Sequence, residues 1–435
     1  MRKCNVLITM IVLLITSLHA ADLSPENIRA GVARILITPP LDMNFTLGGY
    51  GARMSKPAQG VHDNIWAKAI VLTNGADKYL LVTMDILALP PDLKPVVIEK
   101  LGDKTWSLEN TMFLPSHSHA SLDMSALNSK NVLNNPYIGV YQLELREFVI
   151  DKLVEVIRQA GTDLKPVKIG TSRTVLPEMN RNRRGDAMVD RDLTVTRIDQ
   201  ENGVPLAVLI NWTAHPTIMS DEDMLVSAGW PGYLQREMED WIGQGVTCMY
   251  YNGAQGDQSV IARSGGSRHE KAELYGRSVA IAALKLYKGV TTSDKSILAY
   301  KSLQATLPAP KLHPDFLATG GEEYGINEEN GKYILQVMCP LTADIGALRL
   351  GDLLIVGAPG ELSYQLGSKI KAAIGTDKVK YPTIGGIANE WISYILTTEQ
   401  YEAGGYESSV SFYGKELGPF IYKAMLEVSG PLVIK

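Results

Sequence analysis

Cysteine is scarce in this chain of 435 residues, which has three. Cys4 precedes an apolar N-terminal run, so only Cys248 and Cys339 belong to the remainder of the chain. Two cysteines are too few for a disulfide framework, and no Cys-x-x-Cys spacing indicates a cysteine-bound metal. The pattern leaves open whether the two form one disulfide or remain two buried thiols.

A block of positive charge is also missing. The 42 Lys and Arg residues face 47 Asp and Glu residues, for a net charge of -5. Nucleic-acid binding needs a clustered basic surface, so no nucleic-acid partner is expected. No repeat of 20 to 50 residues and no Pro/Gly/Ser-rich linker divides the chain. With 45% hydrophobic residues, this favours one large globular domain over residues 22–435.

The N-terminus has the features of a secretory signal peptide over residues 1–21. Arg2 and Lys3 precede an apolar run at residues 6–15, and the small residues Ala20 and Ala21 follow. This run is shorter than the roughly 20 residues of a membrane span. The pattern therefore predicts an exported protein, periplasmic or secreted, with an uncleaved N-terminal anchor as the alternative.

Strand-like and helix-like segments alternate along the chain, which predicts an α/β fold. An i, i+3, i+4 apolar rhythm predicts a helix over 143–160, and Ser267 with Glu270 forms a capping box that predicts a second helix to about residue 287. A third helical stretch is expected over 362–374. Strands are predicted at 68–73, 79–86, 111–115, 193–198, 206–212, 246–252, 298–307 and 353–357.

Three histidines follow predicted strands. His117 and His119 are separated by one residue just after strand 111–115, and side chains at i and i+2 of an extended chain point to the same side. His215 follows strand 206–212. Two imidazoles on one side suit a metal site. The alternatives are a polar loop for the pair and a hydrogen-bonded core position for His215.

Three further segments carry polar groups at predicted turns. Residues 250–259 run from a strand into a glycine-rich turn that includes Ser259, and residues 357–361 end a strand at Glu361. Residues 389–394 and 401–406 form a tyrosine-rich region predicted as loop. Taken singly, residues 250–259 are equally well explained as a tight turn and Glu361 as a carboxylate near a helix N-terminus. The tyrosine-rich region is equally well explained by packing.

Taken in order, the segments resemble the catalytic, N-terminal domain of the neutral/alkaline non-lysosomal ceramidases. The opening 32–40, the strand ending in Asp85 and the Ser-His-Ser-His segment match that family's order. So do Asn180-Arg181, the His-Pro at 215–216, residues 252–259, Pro359-Gly360-Glu361 and residues 389–406. The resemblance implies a layered sandwich with mixed β-sheets packed centrally and helices outside. The chain ends where the family continues into an immunoglobulin-like domain, so the sequence is expected to lack that domain.

The resemblance also implies a reaction and a set of site residues. It implies hydrolysis of an amide bond at a zinc ion held by His117, His215, Glu361 and Tyr394. His119 and Asp85 would transfer protons or orient other groups. Arg181, Ser259 and Tyr406 would bind the substrate or stabilise the oxyanion, with Ser259 either a nucleophile or a hydrogen-bond donor.

Three loops depart from the family pattern and bear on the substrate. Residues 120–123 replace a glycine-rich segment, and the loops bring charged residues to the expected pocket mouth: Arg181, Arg183, Arg184, Asp186 and Asp123. Because charge is costly beside alkyl chains, we expect a small-molecule or lipid-like amide with a more polar or anionic portion than ceramide. Transient contact with a membrane surface fits such a substrate. The alternatives are ceramide itself, a metal-independent serine esterase or amidase using Ser259, and a non-catalytic periplasmic protein that binds a glycan or lipid.

Overall fold

The computed structural model describes residues 23–263 and 265–433. The predicted signal peptide and Cys4 lie outside these residues. Within the described part, no helix combines the length and apolar character needed to cross a membrane. Cys248 and Cys339 are both free and buried, so they are two thiols and not a disulfide.

The described part of the chain contains twenty strands. They are β1 (Glu26–Asn27), β2 (Arg29–Leu36), β3 (Gly60–Val61), β4 (Trp66–Thr73), β5 (Lys78–Met84), β6 (Thr111–Pro115), β7 (Lys165–Val175), β8 (Asn180–Asn182), β9 (Asp192–Gln200), β10 (Pro205–Asn211), β11 (Leu225–Val226), β12 (Thr247–Tyr251), β13 (Gln258–Val260), β14 (Lys295–Ser296), β15 (Leu298–Thr306), β16 (Thr342–Leu350), β17 (Leu353–Gly357), β18 (Glu361–Leu362), β19 (Tyr381–Gly385) and β20 (Tyr394–Ile395).

Eleven α-helices accompany these strands among the described residues. They are α1 (Leu93–Leu101), α2 (Met124–Leu127), α3 (Leu143–Ala160), α4 (Gly229–Ile242), α5 (Arg268–Lys288), α6 (Gly320–Glu323), α7 (Glu328–Val337), α8 (Tyr364–Ile374), α9 (Thr398–Glu402), α10 (Tyr406–Ser409) and α11 (Leu417–Ser429).

Two mixed sheets form the centre of the molecule. The larger has the order β12-β10-β9-β7-β2-β4-β5-β6, in which β10/β12 and β5/β6 are parallel pairs. The smaller has the order β15-β16-β17-β19, with β17 and β19 parallel. Parallel neighbours end at the same edge of a sheet, so the residues after β10 and β12 lie side by side, as do those after β5 and β6 and those after β17 and β19.

Strands β4, β5, β10 and β12 are largely apolar on both sides because both faces of the large sheet are covered there. In β10, Val208 and Ile210 pack with α4 and α5, whereas Ala207 and Leu209 pack toward the smaller sheet. Helices α1 and α3 cover the other half of the large sheet, and α8 and α11 cover the smaller one. The result is a four-layer sandwich with helices outside and mixed sheets inside, which confirms the predicted fold class.

The predicted elements agree with the structure in most places. Strands 111–115 and 353–357 and helix 143–160 have the predicted bounds, and the Ser267 capping box begins α5. Two expectations are wrong. Glu361 begins the short strand β18, and α8 starts only at Tyr364. The region 401–406 is not a plain loop, because α9 covers its start and α10 begins at Tyr406.

Candidate active site

His117 and His119 follow β6, the edge strand of the large sheet. His117 has a left-handed backbone, with φ of 70°, and so is not extended as predicted. Its amide donates to the Ile86 carbonyl, and its Nδ1 donates to the Leu87 carbonyl at 2.7 Å. The turn still brings the two Nε2 atoms within 3.2 Å of each other. The imidazoles therefore converge through a strained turn and not through strand alternation.

His215 reaches the same point from the end of β10. Its Nδ1 donates to the Gln255 carbonyl at 3.0 Å, and its Nε2 lies 3.1 Å from Nε2 of His117. Asn252, which follows β12, donates to the carbonyls of Ser116 and Ala214 and so links the two histidine turns. The sequence patterns did not single out this bridging role of Asn252.

The tautomers of His117 and His215 follow from these contacts. Each Nδ1 faces a carbonyl oxygen, which only accepts, so each Nδ1 carries a proton. In this tautomer the two rings direct their Nε2 lone pairs at each other across 3.1 Å. Burial, and then the charge of Arg183, lowers the pKa of His215 well below its usual value. Burial and His117 do the same for His119.

Glu361 adds a carboxylate to the cluster. Its Oε1 accepts a hydrogen bond from Trp391 Nε1 at 2.9 Å. Its Oε2 is buried without a hydrogen-bond partner and lies 3.3 Å from Nε2 of His215 and 3.5 Å from Nε2 of His117. Burial raises the pKa of Glu361, but the neighbouring His117 and Arg183 outweigh it and hold the pKa below its ordinary value. Three acceptor atoms thus face one point.

Tyr394 lies beside Glu361 because β20 pairs with β18 in that register. The side chain is buried, and its hydroxyl accepts a hydrogen bond from Arg183 Nη2 at 2.8 Å. Burial raises the pKa of Tyr394 well above its usual value, while Arg183 opposes that rise and Glu361 adds to it. The four predicted metal ligands are therefore neighbours in the structure.

The arginine at this cluster is Arg183, whereas the resemblance to the family implied Arg181. Arg181 is exposed on β8. A turn after Asn182 directs Arg183 inward, where it also bonds the Gly256 carbonyl at 2.8 Å and Glu407 Oε1 at 2.6 Å. The sequence contains two consecutive Asn-Arg pairs, at 180–181 and 182–183. Arg181 is on strand β8 and faces solvent, and the turn after β8 directs Arg183 inward.

The remaining predicted residues divide into two groups. Ser259 forms a backbone bridge with His215, and Tyr406 lines the pocket above the cluster, with its hydroxyl 3.1 Å from that of Tyr324. Asp85 is held elsewhere: its carboxylate accepts hydrogen bonds from Gln235 and the Trp66 amide. Within the described residues, no hydrogen bond joins Asp85 to a histidine, so its contacts are those of a buried structural carboxylate.

A pocket opens onto the cluster. His117, His119, Glu361 and Tyr394 are part of its lining. Its walls are largely apolar and aromatic, and they are formed by Leu47, Tyr50, Leu87, Met124, Tyr137, Ile138, Tyr324, Ile334, Met338, Trp391, Tyr406, Val410 and Phe412. Of the five charged loop residues expected at its mouth, only Asp123 lines it. The expectation of a densely charged mouth is therefore wrong.

Comparison with solved structures agrees with this architecture. The crystal structure of neutral ceramidase from Pseudomonas aeruginosa superposes with a TM-score of 0.81 at 19% identity, over 94% of this chain and 74% of that one. A structure described as ceramidase complexed with C2 superposes with a TM-score of 0.81 at 18% identity. At these identities the likeness establishes the fold.

Sequence comparison identifies the family. The neutral ceramidase of Pseudomonas aeruginosa is 22% identical over 84% of this chain, and neutral ceramidase B of Dictyostelium discoideum is 19% identical over 82%. The chain spans 66% of the length of each of these relatives. The family model for the N-terminal part of neutral/alkaline non-lysosomal ceramidase matches residues 29–265 and 331–421. The chain therefore belongs to the neutral/alkaline non-lysosomal ceramidase family.

Proposed function

We propose that this protein is a zinc-dependent hydrolase that cleaves the amide bond of an N-acyl, lipid-like substrate. The observation that carries the proposal is the cluster of acceptors at the base of the pocket. The Nε2 lone pairs of His117 and His215 and the unpartnered Oε2 of Glu361 face one another at 3.1 to 3.5 Å. Acceptors crowded together in a buried site repel one another, and a bound cation removes that repulsion.

The chemistry of the donor set favours zinc. Two imidazoles and one carboxylate suit zinc better than magnesium or calcium, which prefer oxygen ligands. Each ligating ring also donates its other N–H to a backbone carbonyl, as metal-bound histidines do. His117, His215 and Glu361 would hold the ion, with Tyr394 as the fourth protein ligand. When bound, zinc polarises the scissile carbonyl and lowers the pKa of water to about 7.

The surrounding residues have roles that follow from their contacts. His119 lines the pocket next to His117, so its imidazole is placed to accept and return a proton. Arg183 directs guanidinium donors at the Tyr394 hydroxyl, next to where negative charge develops during amide hydrolysis. The apolar walls suit an acyl chain and exclude water from the reacting groups.

Two other activities are less well supported. A serine hydrolase needs the Ser259 hydroxyl within hydrogen-bond distance of a base, and in the part of the chain that the structure describes no such bond joins it to a histidine. A non-catalytic binding protein does not need the facing lone pairs of the cluster. Both alternatives predict that removing metal leaves function intact.

Metal analysis combined with hydrolysis assays tests the proposal. We expect purified protein to contain about one zinc per chain and to release fatty acid from N-acyl substrates, including short- and long-chain ceramides. Chelation should abolish activity and zinc should restore it. Glu361→Ala should lose both zinc and activity, whereas Glu427→Ala, an exposed control on α11, should keep both. Full activity in metal-free protein would overturn the proposal.

We also propose that the protein is exported after removal of residues 1–21. The support is the charged start, the short apolar run and the small residues near position 21. Expression of the full chain in a bacterial host, followed by N-terminal sequencing of the periplasmic fraction, tests it. A mature protein that starts near residue 22 is expected, and full-length protein in the cytoplasm would contradict the proposal.

A further inference from the structure

Asp123 is the one acidic residue of the pocket wall that the metal cluster does not use. Its side chain is 8% exposed and lines the same pocket as His117 and His119. It belongs to the segment 120–123 that departs from the family pattern. A carboxylate beside apolar walls has to be compensated by a donor or a cation.

The protein compensates this carboxylate only in part. Burial raises the pKa of Asp123 to about 6, although Oδ1 accepts the Ser125 amide at 2.8 Å and the Ala126 amide also favours the charged form. A carboxylate offers about four acceptor positions, so about two remain. Among the described residues, Asp123 forms no ion pair, because no Lys, Arg or His nitrogen lies within 4.0 Å of its carboxylate oxygens. The charge of Arg53 acts on Asp123 only from a greater distance. Because Asp123 lines the pocket, a bound molecule is placed to use this remaining capacity.

Backbone geometry places Asp123 next to the reacting groups. A Cβ on Gly48 would lie 2.9 Å from the Asp123 Cα, and a Cβ on Gly49 would lie 2.4 Å from His119 Nδ1. Successive Cα atoms are about 3.8 Å apart, so Asp123 and His119 flank one short stretch of chain. Gly139 packs against Oδ2 without a side chain, since a Cβ there would lie 2.5 Å from that oxygen. Asp123 and His119 thus line the same part of the pocket, where a substituent next to the scissile amide can reach Asp123.

The arginines of these loops are paired within the protein or face solvent, and none of them lines the pocket. Arg184 bonds Glu407 Oε2 at 2.7 Å and the carbonyls of Gln400 and Gly404, and Arg183 shares Glu407. Arg181 faces solvent. The charge that the loops do bring into the pocket is negative, which reverses the expectation of an anionic substrate.

We propose that Asp123 selects the amine half of the substrate. Its carboxylate accepts hydrogen bonds from a hydroxyl or ammonium group carried close to the scissile amide, and it repels a carboxylate or phosphate at that place. This inference rests on the proposed amide hydrolysis and names the substrate class: N-acyl amines whose amine half bears a donor.

Four dodecanoyl amides that differ only at the end of a two-carbon arm test this specificity. They are N-(2-hydroxyethyl)dodecanamide, N-(2-aminoethyl)dodecanamide, N-butyldodecanamide and N-dodecanoyl-β-alanine. With zinc-loaded protein, we expect kcat/KM for the better of the two donor amides to exceed that for the β-alanine amide at least tenfold, mainly through KM. Comparing kcat/KM for the hydroxyethyl amide with that for the aminoethyl amide shows which kind of donor is preferred. A preference for the carboxylate, or no preference, would overturn the inference.

The matched variants are Asp123→Asn and Asp103→Asn. Both residues accept a backbone amide two positions ahead, Ser125 at 2.8 Å and Thr105 at 2.9 Å, but Asp103 is exposed and outside the pocket. Asparagine preserves such a cap. We expect Asp123→Asn to reduce the donor-to-carboxylate ratio to within threefold and Asp103→Asn to leave it unchanged. Asp123→Ser, which also caps, provides a second variant if the first does not fold. An unchanged ratio in a folded Asp123 variant would contradict the role of Asp123.

Binding to the metal-free protein separates this inference from the proposed function. Trp391 lines the pocket, so its fluorescence reports occupancy by the same four amides. We expect the same order of affinity as of kcat/KM, and loss of that order in Asp123→Asn. Affinity order without turnover would refute amide hydrolysis and retain the role of Asp123. Turnover together with an unaltered order of affinity in Asp123→Asn would support amide hydrolysis and refute the role of Asp123.

Discussion

Arg183 follows the short strand β8 directly and points toward the cluster, whereas Arg181 on β8 points to solvent. The Arg183 side chain contacts Tyr394, Glu407 and the Gly256 carbonyl. We expect Arg183→Ala to lower kcat/KM by about 100-fold, since it removes charged donors from the site. Arg183→Lys should recover only part of this, because one ammonium cannot reproduce the guanidinium geometry.

The matched control for this prediction is Arg181→Ala, measured with the same N-acyl substrate. Its kcat/KM should stay within threefold of that of the unaltered protein. If Arg181→Ala were the damaging change and Arg183→Ala harmless, the inward placement of Arg183 would be wrong.

Glu390 is a buried carboxyl whose ionisation should limit stability in alkaline solution. Burial raises the pKa of Glu390 to about 8, and nearby Asp344 adds to the rise. The folded state therefore keeps a proton that the unfolded chain releases between about pH 4.5 and 8. Within this window the free energy of unfolding falls as the pH rises. Glu390→Gln keeps the acceptor for the Asp344 amide, 2.7 Å away, and cannot ionise.

We expect Glu390→Gln to raise the free energy of unfolding by about 1 kcal/mol or more at pH 8.5 and to change it little at pH 5. Urea unfolding at the two pH values measures the difference. Glu427→Gln, at an exposed position of α11, should show no such dependence. Parallel pH profiles for the Glu390 variant and the unaltered protein would refute the assignment.

At the scale of elements, α7 is a wall of the pocket whose position depends on its cap. Asn327 accepts the amides of Glu329 and Asn330 in a capping box, and Ile334 on the same helix lines the pocket. Asn327→Ala should cost about 1 kcal/mol of helix stability. Because the wall loosens with the helix, we expect KM for a long-chain N-acyl substrate to rise about threefold or more.

The control is the capping box of α5, where Ser267 accepts the Glu270 amide. Helix α5 packs on the large sheet away from the pocket lining. Ser267→Ala should lower stability by a similar amount without changing KM. Equal KM values for the two alanine variants would show that α7 does not shape the substrate site.

Which elements the sequence predicted depends on how clear their local signals are. Helix α3 has an apolar rhythm and a glycine at its end, and its bounds were predicted from residues alone. Strand β16 is buried on both faces and was not predicted, because Asp344, Gly346 and Arg349 interrupt the apolar patterns that indicate a strand. Local patterns also missed the positive φ of His117, which long-range bonds to Ile86 and Leu87 hold in place.

For the site, the sequence order of motifs predicted which residues matter better than where they point. His117, His215, Glu361 and Tyr394 do meet, although β6 and β10 are far apart in the order of the large sheet. No periodicity reveals that approach. It depends on how the whole sheet bends, with β12 contacting both β2 and β5, and on the Asn252 bridge.

At the scale of the whole molecule, a metal at this site would join three parts of the fold. His117 follows β6 at one edge of the large sheet, His215 follows β10 near the other, and Glu361 follows β17 of the smaller sheet. A ligand that binds only the folded state stabilises it by RT ln(1 + [L]/Kd), about 2.7 kcal/mol at a hundredfold excess over Kd. Since these parts are held together at one point, zinc should stabilise them as one unit.

We therefore expect zinc to raise the Tm of the chelated protein in a single transition, measured by calorimetry. Glu361→Gln retains an acceptor for the Trp391 indole and removes the carboxylate, so it should fold but show a much smaller zinc-dependent shift. Glu390→Gln serves as the matched control and should keep the full shift. A zinc-independent Tm, or a zinc effect confined to one of two separate transitions, would mean that the cluster does not join the two sheets through a metal.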